Sequence, residues 1–158
     1  MTGNPDAIEV TIATEATQEI VAAFDQLLPQ LSSSAKSVTY EALGEIIATP
    51  TNTLLLARDR TNGGRIVGVL TLVIFRIPTA TRAWIEDVVV DSCARGRGIG
   101  EALTRKAVQL ALERGARTID LTSRRSRESA HRVYEKVGFT IRDTNVYRYD
   151  PSVSKKAV

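Results

Sequence analysis

The chain has 158 residues, of which 43% are apolar and 25% charged, with a formal net charge of +3. This balance is typical of one globular domain and excludes wholesale disorder. No apolar run approaches the ~20 residues of a membrane-spanning helix, and the N-terminus lacks the pattern of a secretory signal. The lone cysteine, Cys93, and lone histidine, His131, exclude an internal disulfide and any cysteine-built or multi-histidine metal site. We therefore expect a cytoplasmic protein without a metal.

The first third of the chain predicts one strand followed by two helices. Apolar and polar residues alternate over residues 7–13, which is typical of a strand. Apolar residues recur at helical spacing over residues 15–31 and again, more briefly, over about 38–48. The second helix should stop before Pro50, because the residue ahead of a proline disfavours helical geometry.

The middle of the chain predicts an antiparallel meander of three strands joined by short turns. Consecutive strands with such connections usually pair with each other. The predicted strands are residues 53–59, 65–75 and 83–91, and the turns are residues 61–64 and 77–82.

The last third predicts helices and strands in alternation. Gly115 and Gly138 stand where two of these helices should end. In chain order the elements are a helix over 98–114, a strand over 118–123, a helix over 126–137 and a last strand or pair of strands over 139–150.

Together these elements predict a single mixed α/β domain over residues 1–158, with a core of about 8–150 and a frayed C-terminal tail. The strand–helix–strand unit of residues 83–123 should form a right-handed parallel crossover. The sheet is therefore expected to be mixed, antiparallel in its N-terminal meander and parallel in the pair around the crossover helix.

Basic side chains concentrate over residues 91–132, where ten Lys or Arg accompany five Asp or Glu. Such an excess fits either a solvated helix face or an anionic ligand near this part of the chain. A nucleic-acid-binding module would also explain it, but no aromatic or groove-helix motif accompanies the charge. We therefore expect no nucleic-acid partner.

The stretch ARGRGIG, residues 94–100, joins the last meander strand to the crossover helix. Glycines ahead of a helix favour phosphate binding, because the first N–H groups of the helix lack acceptors and the helix dipole is positive there. The nucleotide-binding P-loop pattern is absent. The glycines also have the wrong spacing for the dinucleotide-binding fingerprint, and a long meander precedes them.

Two motifs resemble those of the GNAT superfamily of acyl-CoA-dependent N-acyltransferases. Arg95, Gly98 and Gly100 match the pattern [QR]-x-x-G-x-[GA]. The stretch SAHRVYEKVGF, residues 129–139, matches A-x-x-x-Y-x-x-x-G-F. The order of predicted elements is also similar to that of this superfamily, over roughly residues 8–150.

The resemblance implies a GNAT fold that binds acetyl-CoA as a co-substrate. Its pyrophosphate should lie on the backbone of the Gly-rich turn, and its pantetheine arm should pair with the strand before the turn. The cofactor-binding residues implied are Val88, Val89, Val90, Arg95, Gly96, Arg97, Gly98, Ile99, Gly100 and Glu101.

The resemblance also implies two catalytic residues. Tyr134 matches the tyrosine that protonates the departing thiolate. Glu86 is the candidate base, and strand alternation places it on the same face as Val88 and Val90, with Asp87 on the opposite face. The superfamily often has an asparagine where this chain has Arg127. Ser123, Ser126 or Ser129 could replace that contact, and we include Ser129 among the cofactor-binding candidates.

The acceptor is expected to be a small-molecule or peptide amine. Aromatic residues near the first two helices and the turn at 76–84 are candidates for its site, together with the second strand carboxylate: Phe24, Tyr40, Trp84 and Asp87.

Three questions stay open from the sequence. The segment IEDVVVDS, residues 85–92, also resembles glucosamine-6-phosphate N-acetyltransferases, a branch of the same superfamily, so a sugar amine is an alternative acceptor. A CoA-binding regulator without catalysis is a weaker alternative, because Glu86 and Tyr134 are both present. A homodimer is compatible with the resemblance.

Overall fold

The computed structural model describes residues 7–154, and the end of the predicted tail, 155–158, lies outside this range. The elements are β1 (Ile8–Ile12), α1 (Gln18–Leu31), α2 (Tyr40–Ala48), β2 (Asn52–Asp59), β3 (Arg65–Ile77), β4 (Ala80–Val90), α3 (Ile99–Glu113), β5 (Thr118–Leu121), α4 (Glu128–Val137) and α5 (Pro151–Ser154), with 3-10 turns at Arg60–Asn62 and Ser92–Ala94.

The five strands form one sheet in the order β1-β2-β3-β4-β5. All neighbouring pairs are antiparallel except β4 and β5, which are parallel and flank α3 in the chain. The predicted mixed α/β fold is therefore confirmed. None of the helices within residues 7–154 has the length and apolar character that a membrane span requires.

Each face of the sheet carries its own apolar cluster, because side chains alternate between the faces of a strand. On one face, Leu55 and Leu70 pack with Leu103 of α3. On the other face, Leu54 packs with Leu27 of α1. We refer to these as the α3 face and the α1 face.

Side-chain caps decide where the first two helices begin. The hydroxyl of Thr17 accepts a hydrogen bond from the N–H of Ile20 at 3.2 Å, so α1 begins three residues later than predicted. Thr39 accepts from the N–H of Ala42 at 3.1 Å and caps α2 in the same way.

The strand predicted over residues 139–150 is wrong for the described structure, which has no strand there. Alternating apolar residues are a local signal, and this segment pairs with no strand although the outer edge of β5 is open. Here Ile141 and Tyr147 are 96% and 90% exposed. The segment contacts the sheet through Arg142, whose guanidinium lies 3.8 Å from the carboxylate of Asp120 in β5.

A close approach between α3 and the sheet occurs at Gly68 in β3. A Cβ atom at this position would lie 3.1 Å from Ile99 Cγ2, 3.2 Å from Leu103 Cδ1 and 3.2 Å from the carbonyl oxygen of Val89. The absence of a side chain at Gly68 therefore lets the first turn of α3 lie against the end of β4.

Replacing Gly68 with valine should lower the free energy of unfolding by about 1–3 kcal/mol, because an overpacked core must shift its neighbours. Urea denaturation would measure the change. The control is Gly44→Ala in α2, where the nearest atom to the new Cβ is 4.0 Å away. For this variant the free energy of unfolding should be unchanged or higher. Equal unfolding midpoints for Gly68→Val and the wild type would show that α3 is not held this closely.

Candidate active site

A β-bulge in β4 reorients the residues that follow it. Val69 pairs with Val89 and Thr71 pairs with Glu86, so Leu70 alone opposes both Asp87 and Val88. Asp87 adopts a φ of +50°, the only positive φ among the described residues other than glycine.

Because of the bulge, Glu86 lies on a different face of the sheet from the one that strand alternation predicts. Val88 and Val90 pack on the α3 face, and Val89 is buried on the α1 face. Glu86 instead pairs with Thr71, which lines a cavity on the α1 face together with Asp87. The prediction that Glu86 shares a face with Val88 and Val90 is therefore wrong, because one inserted residue interrupts the alternation. Asp87 does lie on the face opposite Val88 and Val90.

Beyond the bulge, β4 has a strand partner on one side only. It pairs with β5 from Arg82 to Ile85, whereas its pairing with β3 continues to Val90. Within the described residues, the backbone groups of residues 86–90 that point away from β3 therefore have no strand partner. Such an edge can accept an extended ligand as an additional strand.

The Gly-rich turn leaves the N-terminus of α3 uncapped. Gly98 is the N-cap, with a φ of 76° and no side chain to accept a hydrogen bond. The first intrahelical bond runs from the N–H of Ala102 to the carbonyl of Gly98 at 2.9 Å. The N–H groups of Ile99, Gly100 and Glu101 precede it and lack an acceptor within the helix, which makes this end suited to an anion.

The turn is fixed by ion pairs with two buried carboxylates. Arg97 donates to Asp59 at the end of β2 at 2.5 Å, and this bond, with one from Thr61, holds the pKa of Asp59 well below its usual range. Asp91 accepts from the guanidinium of Arg65 at 2.8 Å and from the N–H of Cys93 at 3.1 Å. The side chain of Arg97 thus holds the turn in place.

The two other charged residues of the turn differ in their surroundings. Arg95 is exposed, and its Nε donates to the carbonyl of Val90 at 3.4 Å. Glu101 accepts from Lys136 at 2.6 Å and from Arg105 at 2.9 Å, which ties α3 to α4. These bonds, Lys136 first, lower the pKa of Glu101.

Tyr134 lies half-buried in α4. Its ring meets the ring of Phe139 edge to face, with centroids 6.1 Å apart and planes at 64°. Burial raises the pKa of Tyr134, and the positive charge of Arg127 opposes this rise without cancelling it. The hydroxyl therefore remains protonated at neutral pH, as a proton donor must.

Arg127 connects the start of α4 to the end of α1. Its Nη2 donates to the carbonyl oxygen of Leu31 at 2.7 Å. Leu31 in turn lines the same cavity as Asp87. This contact therefore brings the helix that carries Tyr134 beside the cavity on the α1 face.

The cavity between α1, α2 and the sheet has a volume of about 340 Å³, and we call it the α1–α2 cavity. Of the four predicted acceptor residues, Phe24 and Asp87 line it, whereas Tyr40 and Trp84 do not. Trp84 instead donates from Nε1 to Glu86 Oε1 at 2.7 Å. Tyr40 is 45% exposed at the start of α2.

A second cavity, of about 510 Å³, lies by Thr53 and Arg114. Arg114 follows the C-terminal end of α3, away from the Gly-rich turn, and no predicted site residue lines this cavity. Ser129 is exposed in the first turn of α4. Within residues 7–154 there is no group of three or more His, Cys, Asp or Glu that could hold a metal ion.

Several residues of the site were not predicted from the sequence. Asp59 carries a weak signal, since an aspartate before TNGG is typical of a turn. Gln30 carries none, although its side chain accepts from the N–H of Ser92 at 2.8 Å and so connects α1 to the turn. From the sequence, Leu28 and Leu31 are expected to be ordinary core residues of a helix, yet both line the α1–α2 cavity.

Comparison with known proteins gives N-acetyltransferases among the relatives of this chain. The chain is 36% identical over 104 residues to glucosamine 6-phosphate N-acetyltransferase 1 of Oryza sativa subsp. japonica, covering 61% of this chain and 62% of that protein. It is 40% identical over 57 residues to an uncharacterized N-acetyltransferase of Methanocaldococcus jannaschii, covering 36% of this chain and 25% of that protein. The chain thus spans less than two thirds of either relative.

The fold has a counterpart of nearly equal extent among solved structures. A putative acetyltransferase from Agrobacterium tumefaciens str. C58 superposes with a TM-score of 0.77 at 25% identity, covering 90% of this chain and 99% of that one. The model of the acetyltransferase (GNAT) family matches residues 19–139, which is most of the chain. The protein therefore belongs to the GNAT acetyltransferase family.

Proposed function

We propose that this protein is a cytoplasmic enzyme that transfers an acetyl group from acetyl-CoA to a primary amine, by direct attack in a ternary complex. The observation that carries the proposal is the uncapped N-terminus of α3 directly after the open edge of β4. The N-terminus of α3 suits a pyrophosphate, and the open edge of β4 suits an extended pantetheine arm. Together they match two adjoining parts of one CoA molecule.

Backbone groups would make most of the contacts with acetyl-CoA. The N–H groups from Gly96 to Glu101 would hold the pyrophosphate, with Arg95 adding a positive charge from its exposed side chain. The backbone of Val88, Val89 and Val90 would pair with the pantetheine arm, while their side chains stay in the two apolar clusters. Ser129 stands at the start of α4 as a further candidate contact.

The chemistry requires one base and one acid. Glu86, directly or through a water, would take the proton that the attacking amine must lose. The amine nitrogen then forms a bond to the thioester carbonyl carbon, and the carbon–sulfur bond breaks. Tyr134 would donate its proton to the departing sulfur, because its hydroxyl is protonated at neutral pH. The products are an amide and CoA.

A sugar amine is the second candidate acceptor. Its support is the 36% identity to the rice glucosamine 6-phosphate N-acetyltransferase. A regulator that binds CoA without turnover is the remaining alternative. Release of free thiol from acetyl-CoA in the presence of an amine would exclude it, whereas binding without release from any amine would favour it.

Acetyl-CoA should bind to the purified protein, and Gly98→Ala should weaken that binding at least tenfold. A residue with a Cβ is strained at the positive φ of this N-cap. The backbone of the turn would therefore change conformation, and its N–H groups would no longer point toward one anion. Titration calorimetry would measure the affinity. Gly115→Ala is the matched control, because Gly115 also has a positive φ and open space but lies after the far end of α3. Absence of binding to the wild type would reject the proposed function.

Tyr134→Phe should lower kcat by about 10²–10⁴-fold, the usual contribution of a positioned general acid, and leave the affinity for acetyl-CoA unchanged. Steady-state thiol release and calorimetry would separate the two quantities. Tyr40→Phe removes an equivalent hydroxyl outside the α1–α2 cavity and should have wild-type kcat. If Tyr134→Phe turned over like the wild type, Tyr134 would not be the acid, but the transfer reaction itself would stand.

We further propose that two copies of the chain associate through the exposed segment after α4. Tyr147 and Tyr149 are 90% and 81% exposed and lie two positions apart in this segment, which forms no strand in the described structure. Large side chains exposed together in this way mark an interaction surface.

The double variant Tyr147→Asp with Tyr149→Asp should therefore be monomeric in sedimentation velocity, whereas the wild type should be dimeric. Arg148→Asp is the control, because it introduces the same change of two charge units at the position between them and keeps both tyrosines. A monomeric wild type, or a dimer that the double variant leaves intact, would contradict this association.

A further inference from the structure

We propose that the acceptor is a primary amine carried on a compact apolar group, which occupies the α1–α2 cavity with its ammonium at Asp87. This inference rests on the proposed acetyl transfer and adds the chemical class of the acceptor. The inference is based on the side chains that the fold brings together at the C-terminal end of α1.

Most of the cavity wall is apolar. Phe24, Leu28 and Leu31 line it from successive turns of α1, and Leu43 and Ile46 line it from α2. Phe24 and Leu43 are buried, whereas Leu28 and Leu31 are half-buried, so apolar surface remains open to a ligand at this wall. Covering that surface with an apolar group would release water and favour binding.

Few polar side chains line the cavity. They are the hydroxyls of Ser32 and Thr71, the ammonium of Lys36 and the carboxylate of Asp87. Lys36 is exposed in the loop between α1 and α2. A hexosamine phosphate carries several hydroxyls and a phosphate, and most of these groups would face leucine, valine or phenylalanine side chains. Polar groups that lose water without gaining partners oppose binding, so the cavity disfavours a sugar.

Asp87 is the only carboxylate among the residues that line the α1–α2 cavity. Asp87 lies on the face opposite Val88 and Val90, and the bulge turns the neighbouring Glu86 to that face as well, since Glu86 pairs with Thr71. Asp87 has a φ of +50°, which is uncommon outside glycine, although aspartate adopts it more often than most residues. Backbone strain of this kind is often retained at functional sites. A carboxylate beside an apolar wall fits an ammonium attached to an apolar group.

The volume limits the size of the acceptor. At about 340 Å³, the cavity lies near the lower end of the ~300–1,000 Å³ range of small-molecule sites. It has room for one branched aliphatic or phenyl group next to the amine. A peptide would place a single apolar side chain in it, with the rest of the chain outside.

The first experiment measures kcat/KM for four amines with saturating acetyl-CoA. The apolar pair is 3-methylbutylamine and 2-phenylethylamine, and the polar pair is 2-aminoethanol and glucosamine 6-phosphate. We expect at least a tenfold preference for the apolar pair, because a single methylene in an apolar pocket already changes specificity by roughly 10–200-fold. A preference for either polar amine would overturn the inference and leave the acetyl transfer intact.

The second experiment tests whether the α1–α2 cavity is the source of the preference. Leu28→Asn should reduce the ratio of kcat/KM for 3-methylbutylamine to that for 2-aminoethanol at least fivefold. Both kcat/KM values are measured on the same preparation of the variant, so a loss of folded protein lowers them equally and leaves their ratio unchanged. Leu112→Asn replaces a leucine that is 59% exposed on α3 and should keep the wild-type ratio. An unchanged ratio in Leu28→Asn would place the acceptor elsewhere.

The third experiment tests the carboxylate. Asp87→Asn should lower kcat/KM for 3-methylbutylamine at least tenfold while the acetyl-CoA affinity by calorimetry stays within twofold. Asparagine tolerates a positive φ, so the bulge should persist. Asp25→Asn, at an exposed position of α1 outside the cavity, should match the wild type. Wild-type kcat/KM in Asp87→Asn would exclude the ammonium contact, whereas a wild type that binds acetyl-CoA but acetylates no amine would reject the proposed function instead.

Discussion

The β-bulge opposite Leu70 is the constraint on which the site depends. One extra residue in β4 interrupts the alternation of its side chains, so that Glu86 and Asp87 both lie toward the α1 face while Val88 packs in the core on the α3 face. The pairing of β4 with β5 ends at Ile85, immediately before the bulge. The inserted residue therefore coincides with the point where β4 changes from an interior strand to a strand with one open edge.

Ion pairs to buried carboxylates, and not glycine alone, fix the turn that follows this open edge. Glycines supply the positive φ that the turn needs, but they leave its backbone free to adopt other conformations. The ion pair between Arg97 and Asp59 removes that freedom from the middle of the turn, and the pair between Arg65 and Asp91 does so at its start. An anion-binding backbone gains from such fixing, because its N–H groups then point the same way before a ligand arrives.

The order of elements, the parallel pair and the Gly-rich turn were all predictable from the sequence, because apolar periodicity and glycine spacing are local signals. The bulge was not, because a strand with one inserted residue has the same composition as a regular one. That is why Glu86 was placed on the wrong face. The prediction for residues 139–150 failed for the opposite reason: their local signal for a strand is real, but the segment does not pair with the open edge of β5.

Arg127 shows how a departure from the family pattern can be accommodated. The asparagine expected there would offer a short amide, whereas the longer arginine reaches the carbonyl of Leu31 at 2.7 Å. One end of this contact belongs to the helix of Tyr134, and the other belongs to the wall of the α1–α2 cavity. The same guanidinium charge acts on the Tyr134 hydroxyl and opposes the effect of burial on its pKa. In this chain, therefore, the residue that departs from the pattern both joins α4 to α1 and opposes the rise in the pKa of the proposed proton donor.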